Sequence, residues 1–330
     1  MQTIRFGILG AGAIAGRWMK DAHTLRGARV TCVASRNEAK ARAFADAWGI
    51  PKAVGSYEDL VASLDVDVVY VATPHPLHRQ HALLAMRAGK HVLCEKPAAL
   101  NQRELRDMLA CAQANGVFFM EAMWTRFFPG TLRVKELLAQ GAIGRLCAVQ
   151  AQFSFRAAYD PANRLFAPGL GGGALLDVGC YPISYAVDMF GAAPASVAGV
   201  AHIGPTGVDE QNAISLRFPG GGVASLVSGL AADMPVVAAL YGEEGCLTVP
   251  DFYHPERVLL TRAGHTETVF DQPYEQEGFA FEVEHAADCV RQGLAESPRM
   301  PHSHSLAVMA AMDALRARWG LVYPTEDGHA

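Results

Sequence analysis

The chain has 330 residues, 51% of them hydrophobic, which is ample for a large buried core and points to two domains. Lys and Arg number 28 against 33 Asp and Glu, so the net charge of −5 lacks the basic excess of a nucleic-acid-binding surface. Charged residues make up only 18%, which excludes a disordered chain.

The first 120 residues alternate strand-like and helix-like segments, the pattern of a parallel sheet with crossover helices. Strands are predicted over 4–9, 29–34, 53–54, 66–72, 91–94 and 117–120. The run VDVVYVA at 66–72 is the most apolar and belongs at the sheet centre. Helices are predicted over 13–24, 38–48, 57–63 with Ser56 as its cap, 78–88 and 102–115. A short helix over 131–140 follows. From residue 145 the pattern changes to longer alternating strands: 145–155, 196–202, 212–218, 223–230, 236–241 and 258–260, with helices over 173–190, 279–293 and 303–319. The fold expected is therefore an α/β Rossmann domain, a doubly wound parallel sheet, over 1–121. An α+β domain over 122–330 follows, with a large, mostly antiparallel open sheet. Apolar residues on both faces of 149–155 and 223–230 predict that this sheet is covered by a second copy of the chain, in a homodimer or dimer of dimers.

Seven cysteines (Cys32, Cys94, Cys111, Cys147, Cys180, Cys246, Cys289) are scattered singly with no CxxC pair. Neither a disulfide framework nor a metal site is expected, and a reducing cytoplasm is the expected location. The apolar stretch 6–16 lacks the basic start of a secretory signal. No apolar run reaches ~18 residues, so no membrane partner is expected.

The sequence GAGAIA at 10–15 directly follows the first strand and opens the first helix. Gly10 permits a tight turn, Gly12 lets a pyrophosphate approach the backbone, and small Ala15 lets the helix pack on the sheet. The helix start at Ala13 and Ile14 offers N–H groups to phosphate. The second strand ends in Ser35-Arg36-Asn37, where an acidic residue would bind the ribose hydroxyl of NAD. A hydroxyl beside a guanidinium suits a 2′-phosphate instead, so NADP is the expected cofactor, with NAD a possible one. Otherwise Arg36 is a solvated surface charge.

Ligands in an open parallel sheet lie beyond the carboxyl ends of the strands. Glu95-Lys96-Pro97 ends one strand there, and Thr73-Pro74-His75-Pro76-Leu77-His78 ends the central one. Lys96 then sits near a nicotinamide, or is an ordinary surface lysine. His75 and His78 contact cofactor or substrate, or cap a turn. Downstream, Gly171-Gly172-Gly173 precedes Asp177 and Tyr181, four residues apart and so on one helix face. A tyrosine near an ammonium accepts a proton from an alcohol; alternatively the Asp–Tyr pair is a structural hydrogen bond.

These motifs, GAGAIA, CEKP at 94–97 and GGGALLDVGCYP at 171–182, resemble the glucose–fructose oxidoreductase, inositol dehydrogenase and rhizopine catabolism oxidoreductases. EAMWTRFFP at 121–129 is similar to the dihydrodiol and D-xylose dehydrogenase branch. The resemblance covers essentially the whole chain. It implies Lys96, Asp177 and Tyr181 as the catalytic group, where many relatives carry His in place of the tyrosine. It also implies a dimer through the C-terminal sheets, and Trp124, Arg126, Phe127, Phe153 and Phe279 as cleft-wall candidates; otherwise the aromatics, Phe127 and Phe153 especially, are plain core residues. His75 stands where many relatives carry Asn. The activity implied is NADP-dependent hydride transfer to or from a sugar, cyclic polyol or trans-dihydrodiol, including reduction of a sugar ketone such as anhydrofructose. A non-catalytic sensor or regulator of the same fold is the alternative, disfavoured by the presence of both Lys96 and Tyr181.

Overall fold

The computed structural model describes residues 2–21 and 25–326. Contacts divide them into two compact units. The first holds residues up to 99, 103–124 and 275–302; the second holds 100–102, 125–274 and 303 onward. The single boundary expected at 121/122 follows chain order. The contacts group the chain differently, because the helix at 279 returns to pack on the first sheet.

In the first unit six strands are all parallel, in the order β3-β2-β1-β4-β5-β6. These are β1 (Ile4–Leu9), β2 (Ala28–Ala34), β3 (Lys52–Val54), β4 (Val68–Val71), β5 (His91–Glu95) and β6 (Phe119–Ala122). The order reverses between β1 and β4, so the ends of these two strands flank the topological switch point where ligands bind. The helices are α1 (Ala13–Met19), α2 (Glu38–Trp48), α3 (Tyr57–Ala62), α4 (His78–Arg87) and α5 (Gln102–Asn115). The helix expected over 13–24 thus ends earlier, and its last three residues lie outside the described ones. Ser56 caps α3 as expected, accepting from Asp59 N–H at 3.1 Å.

The second unit carries α6 (Pro129–Ala139), α7 (Cys180–Phe190) and eight strands. They are β7 (Leu146–Ser154), β8 (Ser196–Ile203), β9 (Asp209–Arg217), β10 (Val223–Gly229), β11 (Val237–Gly242), β12 (Cys246–Pro250), β13 (Arg257–Arg262) and β14 (His265–Asp271). Their order is β14-β13-β12-β11-β7-β10-β9-β8, antiparallel except for β7 beside β10. β12 and β14 were not foreseen. Then α8 (Phe279–Arg291) belongs to the first unit and α9 (His302–Trp319) to the second, apart from its first residue.

One face of the large sheet is core. Val149, Ala151, Ile214, Leu216, Leu226, Leu240 and Val249 are buried on it, and α7 packs against β7 and β10 there. The other face departs from expectation. On β7 its alternate positions are Ala148, Gln150 and Gln152, with Gln150 exposed. Its exposed apolar residues are Val200, Val223 and Tyr241, around a shallow groove of about 370 Å³ lined in part by Val200, His202 and Val227. Among the described residues no helix is long and apolar enough to cross a membrane, and all seven cysteines are unpaired.

Candidate active site

In the first unit, the β1–α1 turn is shaped by its glycines. Gly10 has φ +110°, and a Cβ there would stand 2.9 Å from the Ala72 carbonyl oxygen, so both conformation and space require glycine. Gly12 is different. A Cβ there meets nothing nearer than Ala72 O at 4.0 Å. The chain's own packing does not demand glycine at 12, which leaves open backbone for an approaching group. Gly12 is the N-cap of α1, no side chain caps that helix, and its first turn has no acid, so the N–H groups at Ala13 and Ile14 suit an anion. Ala15 is fully buried against the sheet. A dinucleotide pyrophosphate fits this cradle.

At the end of β2, Ser35 accepts a bond from Asn37 N–H at 3.3 Å, and the Asn37 side chain caps α2. Arg36 is exposed beside this turn; burial first, then the His78 and Arg36 charges, hold the His81 pKa down to about 4. No acidic side chain occupies the strand end.

The end of β4 is held by histidines. Thr73 Oγ1 lies 2.9 Å from His81 Nδ1. His78 is wholly buried, with Nε2 2.7 Å from Thr73 O and Nδ1 2.9 Å from Pro97 O. Burial outweighs the two carbonyls and holds its pKa down to about 4. The neutral ring, with a single N–H, donates to one of these two carbonyls and lies buried between the β4 and β5 loops. His75 is half-buried in a 3₁₀ turn (His75–Leu77), edge-on to His78, and Pro74 is exposed. At the end of β5, Glu95 is buried and Lys96 half-buried. The Lys96–Pro97 peptide is cis. Tyr70 OH donates to Glu95 Oε1, and Lys96 N–H donates to Glu95 Oε2 at 3.3 Å.

Trp124 and Phe279 stack at 4.5 Å and 12° in this unit, with the Arg17 guanidinium 5.8 and 5.6 Å from their ring centres. Both rings are buried.

In the second unit the GGG segment is a packing device. A Cβ on Gly172 would stand 2.9 Å from the carbonyl oxygens of Arg164 and Leu165. Gly173 has φ +111°, and a Cβ there would meet Asp209 Oδ1 at 2.5 Å. The close approach of the 164–167 loop brings Arg164 Nη1 to 2.9 Å from Asp177 Oδ1. Wholly buried Asp209 caps the next turn, accepting from Leu175 N–H at 2.8 Å and from Asn212 Nδ2 at 2.8 Å. Burial pushes the Asp209 carboxyl up to about 7 against those two bonds.

The expected α-helix over 173–190 begins instead with a π-helical turn, Leu175–Gly179, which holds Asp177; Tyr181 follows on α7. Such π turns occur often at functional sites. Tyr181 packs on Phe153 at 5.4 Å and edge-on to Tyr253 at 6.4 Å, and Phe153 lies 4.8 Å from Tyr253. Phe153 and Tyr181 are thus brought together with Tyr253, and Asp177 is paired with Arg164 in the same unit; sequence reasoning missed Tyr253 and Arg164. Tyr253 sits in an irregular turn with no motif to single it out.

Arg126 is buried among polar partners. Its guanidinium bonds Ser184, pairs with Asp188 at 3.3 Å and contacts His304 Nδ1 at 2.8 Å. Phe127 is buried likewise. Among the described residues no group of three or more His, Cys, Asp or Glu is gathered to hold a metal.

Comparison with known proteins fits this geometry. Residues 4–123 match the oxidoreductase family with an NAD-binding Rossmann fold, and 131–248 match the GFO/IDH/MocA C-terminal domain. The chain belongs to this oxidoreductase family. It is similar to trans-1,2-dihydrobenzene-1,2-diol dehydrogenase of Xenopus laevis, with 38% identity over 97% of this chain and 99% of the relative. The Danio rerio protein of the same name is 39% identical over 97% and 98%. Among solved structures, a 3-ketoreductase from Actinomadura kijaniata in complex with NADP and TDP-benzene matches with TM-score 0.86 and 29% identity, over 96% of this chain and 98% of that one. The aldose–aldose oxidoreductase of Caulobacter crescentus, complexed with glycerol, matches with TM-score 0.87 and 25% identity over 95% and 96%. The protein is an oxidoreductase built on a nicotinamide-binding Rossmann domain.

Proposed function

We propose that the chain is an NADP-dependent dehydrogenase acting on a sugar, a cyclic polyol or a trans-dihydrodiol, substrates that carry neighbouring hydroxyls. The observation that carries this reading is the setting of Tyr181: a phenol four residues after Asp177, bedded on Phe153 and Tyr253. An aromatic wall suits the ring of a cyclic diol, and a positioned phenol suits proton exchange with its hydroxyl. The activities named for the frog and fish relatives accord with it.

NADP, when bound, supplies the hydride chemistry. Gly10, Gly12, Ala13 and Ile14 would hold its pyrophosphate, and Ser35 and Arg36 its 2′-phosphate. Thr73, Pro74, Glu95 and Lys96 belong at its nicotinamide end, with His78 bracing their loops and His75 beside them. Tyr181 accepts the proton of the reacting hydroxyl. Lys96 stabilises the phenolate, and Asp177 orients the charge. Trp124, Phe153 and Phe279 shape the substrate's surroundings. Reduction of a ketone is the same chemistry reversed. We place the enzyme in the cytoplasm, where seven unpaired thiols persist, as a homodimer through the outer face of the large sheet.

A spectrophotometric panel of aldoses, inositols, anhydro-sugars and dihydrodiols with NADP and with NAD tests the reading. Turnover with at least one class and NADP is expected. Tight NADPH binding with no turnover across the panel sinks it and returns the sensor alternative.

A further inference from the structure

The first unit contains a buried carboxyl that nothing above uses. Glu282 on α8 is 0% exposed, and neither carboxyl oxygen has a hydrogen-bond partner. The Glu95 and Asp21 charges bear on it, and its own charge bears on Tyr70. Trp18 stacks on Tyr70 at 4.7 Å and 16°, and its buried indole N–H also lacks a partner. Three carboxyls of the first unit therefore act on one another in a buried setting.

They are not equivalent. Asp21 accepts from Glu277 N–H at 3.1 Å and from Ala280 N–H at 3.2 Å, at the start of α8. Burial raises the Glu95 carboxyl as well, but Glu95 accepts from the Tyr70 hydroxyl and from Lys96 N–H, and the Lys96 and Arg17 charges offset part of that rise. Among the described residues Glu282 has no hydrogen-bond donor. Carboxyl groups sharing a buried site cannot all ionise, and the one without donors keeps its proton.

We propose that Glu282 is a neutral acid at physiological pH and a positioning residue for Lys96, leaving Glu95 as the one negative charge directly behind that lysine. Burial pushes the Glu282 carboxyl well above its ordinary range, as this arrangement requires. The consequence for catalysis rests on the reading of Lys96 given under Proposed function. With one charge behind it, the ammonium stabilises the Tyr181 phenolate. Ionising Glu282 adds a second negative charge, holds the phenol protonated and slows alcohol oxidation on the alkaline side.

The protonation state is tested on the intact protein with glutamate carboxyls labelled with carbon-13. NMR at pH 7 is expected to show one glutamate in the acid form, and Glu282→Gln is expected to remove that signal. A spectrum in which every glutamate is ionised at pH 7 overturns the proposal, and this reading needs no variant to fold. A protonated signal that survives Glu282→Gln overturns it too. The second arm is the pH profile of kcat/KM. Glu95→Gln is expected to move the rising limb to lower pH by about one unit. Glu282→Gln is expected to raise kcat/KM several-fold over the unsubstituted enzyme on the alkaline side. Glu282→Gln moving the rising limb as far as Glu95→Gln does would mean that Glu282 is charged, and overturns the proposal. An unsubstituted protein without turnover strikes the functional reading instead, while the NMR result still decides the state of Glu282.

Discussion

Arg164 places a guanidinium nitrogen 2.9 Å from a carboxylate oxygen of Asp177, one residue on a loop and the other in the π-helical turn. The arginine side chain is 60% exposed and the aspartate 8%. The pair is therefore screened on one side, and its worth is that of a surface pair, at most ~1 kcal/mol. That is still about fivefold in rate if Asp177 sets the field at Tyr181. Arg164→Gln leaves the Asp177 charge uncompensated and favours the protonated phenol. We expect kcat for alcohol oxidation to fall about fivefold at neutral pH and to recover as pH rises. A pH–rate profile identical to that of the unsubstituted enzyme would remove Arg164 from the account.

Arg36 stands exposed at the end of β2 with no carboxylate in the place that would bind a ribose hydroxyl. A charge-assisted bond to a 2′-phosphate is worth ~1.5–3 kcal/mol, or about 10- to 100-fold in affinity. Arg36→Ala should weaken NADP binding by that factor and leave NAD binding nearly unchanged, as read by fluorescence titration. Equal affinity of the unsubstituted protein for both cofactors would defeat the idea.

What the sequence made legible follows from how local its physics is. The Gly10–Gly12 turn and the Ser56 cap depend on residues within one turn, and both stand where the pattern places them. β14 reads HTETVFD, is mostly exposed at a sheet edge, and carries no alternation to detect. Glu282 and Arg126 were opaque for another reason. A charged residue on a helix or turn looks the same whether it faces water or core, and only the packing of distant elements decides. The same holds for Asp209, whose partners Leu175 and Gly173 lie more than 30 residues away.

Asp209 carries a pH prediction. Its folded carboxyl is pushed up to about 7, above the value near 3.8 of the free group. Between these values the folded protein holds a proton that the unfolded chain has released. Stability from this group is complete below about pH 4 and is lost as pH rises through 7. Buried His78 and His81 and half-buried His285 and His304, all held down to about 4, act in the opposite sense over part of that window, so the comparison must be with a variant. Asp209→Asn should cost stability at pH 5 relative to the unsubstituted protein, and that deficit should shrink by on the order of 3 kcal/mol by pH 8. Urea unfolding at the two pH values reads it. A deficit that does not change with pH would show that Asp209 titrates alike in both states.

The outer face of the large sheet presents Val200, Val223 and Tyr241 among glutamines and serines. A mixed face of this kind is typical of an interface more polar than a core. Light scattering at micromolar concentration should give about twice the chain mass of 35.3 kDa. Val200→Asp and Val223→Asp together should shift the particle toward the monomer by burying two unpaired charges. A monomer of the unsubstituted protein at that concentration would end the proposal.

Tyr181 and Lys96 belong to different units of the chain, yet the proposed chemistry has both act on one proton. Tyr181→Phe keeps the ring against Phe153 and Tyr253 and removes only the hydroxyl. It should lower kcat by ~10²- to 10⁴-fold, with NADP affinity near its original value. Lys96→Met should do similar damage. The double variant should be far less than multiplicatively worse, because groups that act as one unit are not additive. Asp177→Asn should fall between, since it alters the field without removing the proton acceptor. Steady-state kinetics on the best substrate of the panel, with cofactor binding measured separately, reads all four proteins. A multiplicative double variant would mean that the two residues act on different steps. A Tyr181→Phe enzyme with nearly full turnover would move the proton transfer to Lys96 or His75.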